Sequence, residues 1–591
     1  MPKRQFPIPA FWRVAALWAL AGALPAAAGQ ISLDPDVVAT RSWAQGAAAY
    51  RQQLLESVQG TDLPDARQTA DLYGRYALCN LLATGGQASL ARDEQGRDLV
   101  TWLLANPTLA GTLAQALRPE DDPVGVLAVL RTLMLATDRR RVYAPDLFTA
   151  FAVTWDNRVL QGARRPHQPT PDVLLQLQVE YFLRNGGCMS ADLLELPWQF
   201  ATFIVDCDLP EGECNWALTR FAQRSTYKGL YNSIPLDPDR RKWRPGAEQT
   251  LENIRRWGGA PADRAFYAAN VAKACGRPAA IVTGASRVGG RTAGVMLLTG
   301  ESTAYYAWTV EGWSPKDPGD FEDPQTGRTR EIHEAFLLAR ALRADAGARI
   351  ASDAYYHVAA LLKSELPAAR VLDLLEQATR KNPCDTRPWV MLADMMGEKQ
   401  VSAERAATLY SYLLKTCGQY PEFTCDILHA LLQLIPQDQP KNLCRVYEAT
   451  FSVYQDSPSV VAGLMTELAD TLRARGQQQA ALTTYRSLVH RFRSQAQLIE
   501  SALSSAESLY REQKALPALT GMYEDVFRAY RSKRDEALTS GLSSYYYRLV
   551  TKLAGLYREA RDLDKAEGYD RLASRFAQAV QDRSQRAGKR R

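Results

Sequence analysis

Apolar residues recur at three- and four-residue spacing along almost all of this 591-residue chain, and the pattern breaks over one long stretch only, between Thr250 and Glu322. Such a chain must pack helix on helix, because a stripe repeating at the helical period is buried only against another element. From about Asp34 to Leu194 the period runs through RSWAQGAAAYRQQLLESV, DLVTWLLANPTLAGTLAQAL and VGVLAVLRTLMLAT, with Pro and Asp at the breaks. Leu196 to Val205 (LPWQFATFIV) reads as a strand or a buried helix, and the polar stretch TYKGLYNSIPLDPDRRKWRPG as a linker wrapping the next module. Then come a helix (LENIRRW), a Gly-Gly break and a second helix (DRAFYAANVAKAC). The short apolar runs AAIVTG, AGVMLLT and TAYYAWTV, separated by glycine turns, predict antiparallel strands. After Asp323-Pro324-Gln325-Thr326-Gly327 the helical period returns.

The expected class is mainly α. Residues 29–195 form an all-helical domain and 196–330 a small α+β domain with an N-terminal linker. Residues 331–580 form a helical-repeat array, and 581–591 a basic, solvated tail. Residues 1–28 have a basic start at Lys3 and Arg4, an apolar stretch from Val14 to Leu24, and Ala26-Ala27-Ala28 before Gly29. That is the pattern of a cleaved leader, shorter than the roughly 20 apolar residues of a membrane span. The chain is therefore expected to be exported, either periplasmic or at the cell surface or secreted, with no membrane span once the leader is removed. An uncleaved anchor is the competing reading.

Formal charge is +6, of which Lys3, Arg4 and Arg13 in the leader carry half. That balance excludes the concentrated basic face of a nucleic-acid binder. Nine cysteines in an exported chain permit disulfides and leave at least one unpaired; Cys207 with Cys214 and Cys417 with Cys425 are nearest in sequence. Buried free thiols are the other reading. No Cys-x-x-Cys pair or helical His-x-x-x-His appears, so no structural zinc is expected. The acidic knot from Asp206 to Glu213 reads as a solvated turn rather than a calcium loop. Thr283-Gly284-Ala285-Ser286-Arg287-Val288-Gly289-Gly290 mimics a phosphate loop, but a strand follows it instead of a helix, so its glycines read as a strand-to-strand turn. No cofactor is expected.

Leu464 to Phe492 and Arg548 to Phe576 each read as a helix pair, with Leu-Ala in the first helix, a polar turn, and Ala then Tyr in the second. They resemble degenerate tetratricopeptide repeats. Leu468 to Leu553 spans 85 residues, which is not a multiple of the roughly 34-residue unit, so an insertion is expected. Tyr410, Tyr412, Tyr485, Tyr510, Tyr523, Tyr530 and Tyr545-Tyr546-Tyr547 fall at helical spacing and read mostly as seam residues.

The central stretch, Trp257-Gly258-Gly259-Ala260-Pro261-Ala262-Asp263, an aromatic-bearing helix, a Cys-Gly-Arg-Pro-Ala turn, and Tyr306-Ala307-Trp308 before Trp313, resembles the bacterial transglutaminase-like fold. In that family Gly-Gly-x-Cys-x-Asp opens a helix and His-Ala-Trp lies on a strand. The resemblance implies a thiolate activated by an imidazole attacking an amide or ester carbonyl. Here Pro261 takes the cysteine position and Tyr306 the histidine position. Proline has no nucleophile, and tyrosine, with an ordinary pKa near 10, is a poor general base near neutrality. Cys275, 14 residues on, His333 and Asp323 are the weak alternatives. Asp317 and Asp320 also lie near the position of the family's orienting acid.

The functional expectation is an exported, non-catalytic scaffold that binds protein or peptide through helical repeats and a pseudoenzyme core, with Asp263, Tyr306, Trp308 and Trp313 as the core's binding residues. The competing class is an amide-acting hydrolase or transferase with rewired catalytic residues. Nothing in the sequence sets the oligomeric state.

Overall fold

The computed structural model describes residues 31–588 apart from 61, 86–97, 141, 162–169, 190–192, 194–195, 223–226, 245, 286–290, 301–305 and 314–318. The leader, Asp317 and most of the mock phosphate loop lie outside the described residues. The protein is mainly helical with one small antiparallel sheet, and it divides into two compact units, Met1–Leu392 and Ala393–Arg591. Among the described residues no helix is long and apolar enough to cross a membrane.

Proline sets many helix starts. It stands in the first turn of Pro107–Ala116, Pro171–Asn185, Pro261–Ala274, Pro421–Leu432, Pro440–Val453 and Pro458–Ala474, where its missing N–H would have had no partner. Asp65 caps Ala66–Thr84 by accepting from the Gln68 N–H at 2.9 Å. In the first unit one continuous apolar core runs from Ile31 to Leu342, across both the helical segment and the sheet. The segment Leu196–Val205 contributes the helix Trp198–Val205, in which every residue but Gln199 is buried, so it shows almost no polar face to display a period. Trp155 Nε1 donates to the Val205 carbonyl at 2.7 Å, and Tyr181 donates its hydroxyl to the Ala274 carbonyl at 2.7 Å.

Two helices approach so closely that only glycine fits between them. A Cβ on Gly125, in Pro123–Arg140, would lie 2.2 Å from the carbonyl oxygen and 2.8 Å from the Cα of Asp156, in Pro145–Gln161. Both obstacles are backbone and cannot rotate away. Gly125→Ala is expected to destabilise the first unit by about 3 kcal/mol. All twelve tryptophans precede Ala393, so tryptophan fluorescence during urea unfolding reads this unit alone.

The sheet has strands β1 (Ala279–Ala285), β2 (Arg291–Thr299), β3 (Ala307–Glu311), β4 (Asp320–Glu322) and β5 (Thr329–Glu331), ordered β3-β2-β1-β4-β5. β1 and β2 form a hairpin with Ala285 opposite Arg291, so the glycine-rich segment joins antiparallel strands. The Asp-Pro-Gln-Thr-Gly element is the β4–β5 turn, and β5 precedes the return of helix that the sequence places directly after Gly327. Helix Pro261–Ala274 packs across β1 and β2.

The helices after β5 do not join the second unit at once. Arg370 Nε donates to the Val58 carbonyl at 2.7 Å, Tyr355 donates to the Pro64 carbonyl at 3.1 Å, and Arg51 pairs with Glu365. These long-range bonds tie helices that follow β5 to the first unit, which extends to Leu392. In the second unit, Pro458–Ala474 packs on Gln478–Phe492, and Tyr545–Glu559 on Leu563–Gly588. Between Tyr530 and Tyr545 the chain makes two short turns, Arg531–Lys533 and Gly541–Ser543, around the helix Arg534–Ser540. Leu563–Gly588 runs as helix into the segment expected to be a loose tail from 581; Phe576 is fully buried, while Gln581, Asp582 and Arg583 are exposed.

Candidate functional site

Gly258 sits at φ +82°, and a Cβ there would lie 2.5 Å from the Pro235 carbonyl; one on Gly259 would lie 2.5 Å from the Asp263 Cβ. These glycines let the chain turn sharply into helix Pro261–Ala274, with Pro261 in the first turn. Asp263, only 1% exposed, is fully engaged. Its Oδ2 accepts from the Ala260 N–H at 2.9 Å and from Arg240 Nε at 2.9 Å, while its Oδ1 accepts from Gln249 Nε2 at 2.8 Å and from Arg240 Nη2. The carboxylate that the family motif supplies is therefore spent on capping the helix and holding the Arg240 loop.

Tyr306 and Trp308 are both buried on one side of β3, against the helix Trp198–Val205. Phe200 meets Tyr306 edge-on at 5.3 Å, and Phe203 meets Trp308 at 5.1 Å. The Tyr306 carbonyl accepts from Arg343 Nη2 at 2.6 Å. Trp313 is half-buried, its Cβ 2.9 Å from where a side chain on Gly294 would begin. The positions expected to bind a ligand are thus largely filled by protein: Asp263 by Arg240 and Gln249, Tyr306 and Trp308 by phenylalanine.

The alternative catalytic residues lie on separate elements. Cys275 is fully buried at the end of helix Pro261–Ala274 opposite Pro261, and burial pushes its thiol up to about 11, which leaves little thiolate near neutrality. His333 Nδ1 lies 3.1 Å from Glu331 Oε2 at the start of helix Ile332–Ala341. Burial raises the Asp323 carboxyl, but the Arg118 guanidinium, 3.0 Å away, outweighs it and holds the group below the usual range. Asp323 also accepts from the Gln325 N–H and the Thr326 hydroxyl, both at 3.1 Å, and so closes the β4–β5 turn onto the N-terminal helices. The acidic knot is bracketed likewise: Asp206 pairs with Lys273 at 2.5 Å, Glu211 with Arg184 at 3.0 Å, and Glu213 accepts from the Leu251 N–H at 2.7 Å.

Sequence reading missed two clusters. In the first, Gln325 Nε2 donates to both oxygens of Asp121 at 3.0–3.1 Å and to the Ala116 carbonyl at 3.0 Å. The nearby Asp156, fully buried, accepts from the Asp122 N–H at 2.7 Å through Oδ2, while its Oδ1 has no hydrogen-bond partner in the structure. Burial pushes Asp121 up to about 7 and Asp156 up to about 6, and their mutual repulsion adds to the Asp121 shift. The local signal was the run Glu120-Asp121-Asp122 before Pro123; Gln325, about 200 residues away, gave none.

The second cluster lies wholly in the second unit. Helices Pro458–Ala474 and Ala496–Glu512 line an open groove of about 620 Å³, floored by small residues including Ala462, Gly463 and Ser501 and edged by Glu467 and Asp470. Glu467 accepts from Tyr447 at 2.8 Å and lies 3.0 Å from His429 Nε2; Asp470 accepts from Tyr485. Burial raises Glu467, yet the His429 and Tyr447 hydrogen bonds bring it below its ordinary value, and Glu467 in turn raises His429. Gly463 is the informative residue in sequence: it sits mid-helix, and a side chain there would meet nothing within 4 Å. A searched set of protein-family models gives no match to the chain, and no curated protein matches it.

Proposed function

We propose that this protein is an exported, non-catalytic scaffold that holds an extended polypeptide in the groove between Pro458–Ala474 and Ala496–Glu512. Its central module, on this reading, is a degenerate transglutaminase-like platform. The groove carries the proposal. Its small-residue floor leaves room for a backbone, while Glu467 and Asp470, one turn apart, hold lone pairs ready for peptide N–H groups or a lysine or arginine side chain. Tyrosine hydroxyls fix both carboxylates in place, so little side-chain ordering is lost on binding. The amide-acting alternative finds less support, because Pro261 offers no nucleophile and burial keeps Cys275 a thiol.

The test uses full-length protein titrated with a panel of basic, neutral and acidic peptides by calorimetry. Basic peptides are expected to bind, and Gly463→Leu, which projects into open space on a helix that tolerates it, should weaken them at least tenfold with the unfolding midpoint unchanged. Equal affinity in this variant, or turnover of a glutamine peptide with an amine, would overturn the proposal.

A further inference from the structure

Cys207 and Cys214 flank the corner between helices Trp198–Val205 and Glu211–Phe221, and both are fully buried. The Cys207 N–H donates to the Ile204 carbonyl at 3.1 Å and the Cys214 N–H to the Pro210 carbonyl at 3.1 Å, so the backbone fixes each residue before its side chain is considered. Both side chains lie in this one buried corner, where Cys214 is engaged with Cys207. Cys214 Sγ also lies 3.8 Å from the Leu209 carbonyl and 4.0 Å from Gln178 Nε2, which closes off the other directions. Cys275 stands nearby, engaged with Tyr227. The corner holds the far end of helix Pro261–Ala274, through Asp206 on Lys273 and through Tyr181, which donates to the carbonyls of both Ala274 and Cys214.

We propose that Cys207 and Cys214 are a redox pair that closes as a disulfide in an oxidising compartment, sealing an eight-residue ring that staples this corner. The oxidant is a small disulfide of the glutathione class. One cysteine, as thiolate, attacks it and releases one thiol; the second cysteine displaces the mixed disulfide and releases another. Two thiols are thereby oxidised by two electrons, and their protons leave on the released thiols. In the folded protein the neighbouring Cys207 and burial hold Cys214 well above the ordinary thiol range, so closure belongs to folding, before the corner is buried. Once formed, the bond is shielded from reductant by the same packing.

The full chain, unfolded and refolded with oxidised and reduced glutathione, is blocked with iodoacetamide in denaturant and cleaved after glutamate. Glu211 and Glu213 lie between the two cysteines, so the expected product is a pair of peptides joined through Cys207 and Cys214 that separate on reduction. The oxidised protein should melt a few degrees above the reduced one, and a Cys207→Ser, Cys214→Ser double variant should show no such redox dependence. Alkylation of both thiols after oxidative refolding, or a bond from Cys207 to Cys275, overturns the proposal; both outcomes are read on the wild-type chain even if the variants fail to fold.

Discussion

Replacing Arg240 with alanine is expected to destabilise the first unit by about 3 kcal/mol, because it strands a buried carboxylate. Asp263 is 1% exposed and takes two of its four hydrogen bonds from that guanidinium, while Arg240 itself is half in solvent and would be satisfied without it. The asymmetry sets the sign of the companion variants. Asp263→Asn should cost less, since its Oδ1 can still accept from the Ala260 N–H and cap the helix. Adding Asp263→Asn to Arg240→Ala should recover stability relative to Arg240→Ala alone. Arg240 occupies the left-handed region at φ +50°, so Arg240→Gly relieves backbone strain and should fall between wild type and the alanine variant. Urea unfolding followed by tryptophan fluorescence resolves all four proteins. If the double variant were no more stable than Arg240→Ala, the cost would lie in the Arg240 loop itself, and the capping account of Asp263 would fail.

The same residue shows how far the sequence could be read. The Gly258-Gly259 break announced a helix from Asp263 onward, and the helix is there, begun at Pro261, because two glycines admit the turn and the Asp263 carboxylate, expected to bind a ligand, meets the first free N–H. What that carboxylate binds was not legible, because Arg240 approaches from a loop whose path depends on the Asp237 carboxylate accepting from the N–H groups of Arg241 and Lys242. Leu196–Val205 was ambiguous for a related reason: a helix buried on nearly all sides shows almost no amphipathic period. The division near Leu392 is likewise invisible locally, since the Arg370, Tyr355 and Arg51 bonds that hold the intervening helices to the first unit join residues about 300 apart. Periodicity reports which face of a helix is buried, not which partner buries it.

That limit is sharpest at Asp121 and Asp156, where the largest pH effect is expected. Both carboxyls titrate in the folded protein well above the 3.8 of an unfolded aspartate, at about 7 and about 6, so the native state binds protons more tightly than the unfolded chain. Their contribution to stability is therefore greatest below about pH 4 and is lost as pH rises through 6 and 7, by roughly 4 kcal/mol for Asp121 taken alone. Asp156→Asn isolates the effect: its Oδ1 can keep the bonds from the Asp122 N–H and Asn157 Nδ2, while the charge on the partnerless oxygen disappears. At pH 8 the variant should be more stable than wild type by about 1 to 2 kcal/mol, after allowing for one amide N–H left unpaired in the core. At pH 5, where wild-type Asp156 is already protonated, the advantage should vanish or reverse. Tryptophan-detected urea midpoints at the two pH values give the difference; the other titrating groups are shared and cancel, except Asp121, whose upward shift shrinks once the neighbouring charge is gone and so adds to the variant's advantage at pH 8. A difference unchanged between pH 5 and pH 8 would mean that Asp156 stays ionised in the fold, with a counter-charge compensating its buried oxygen.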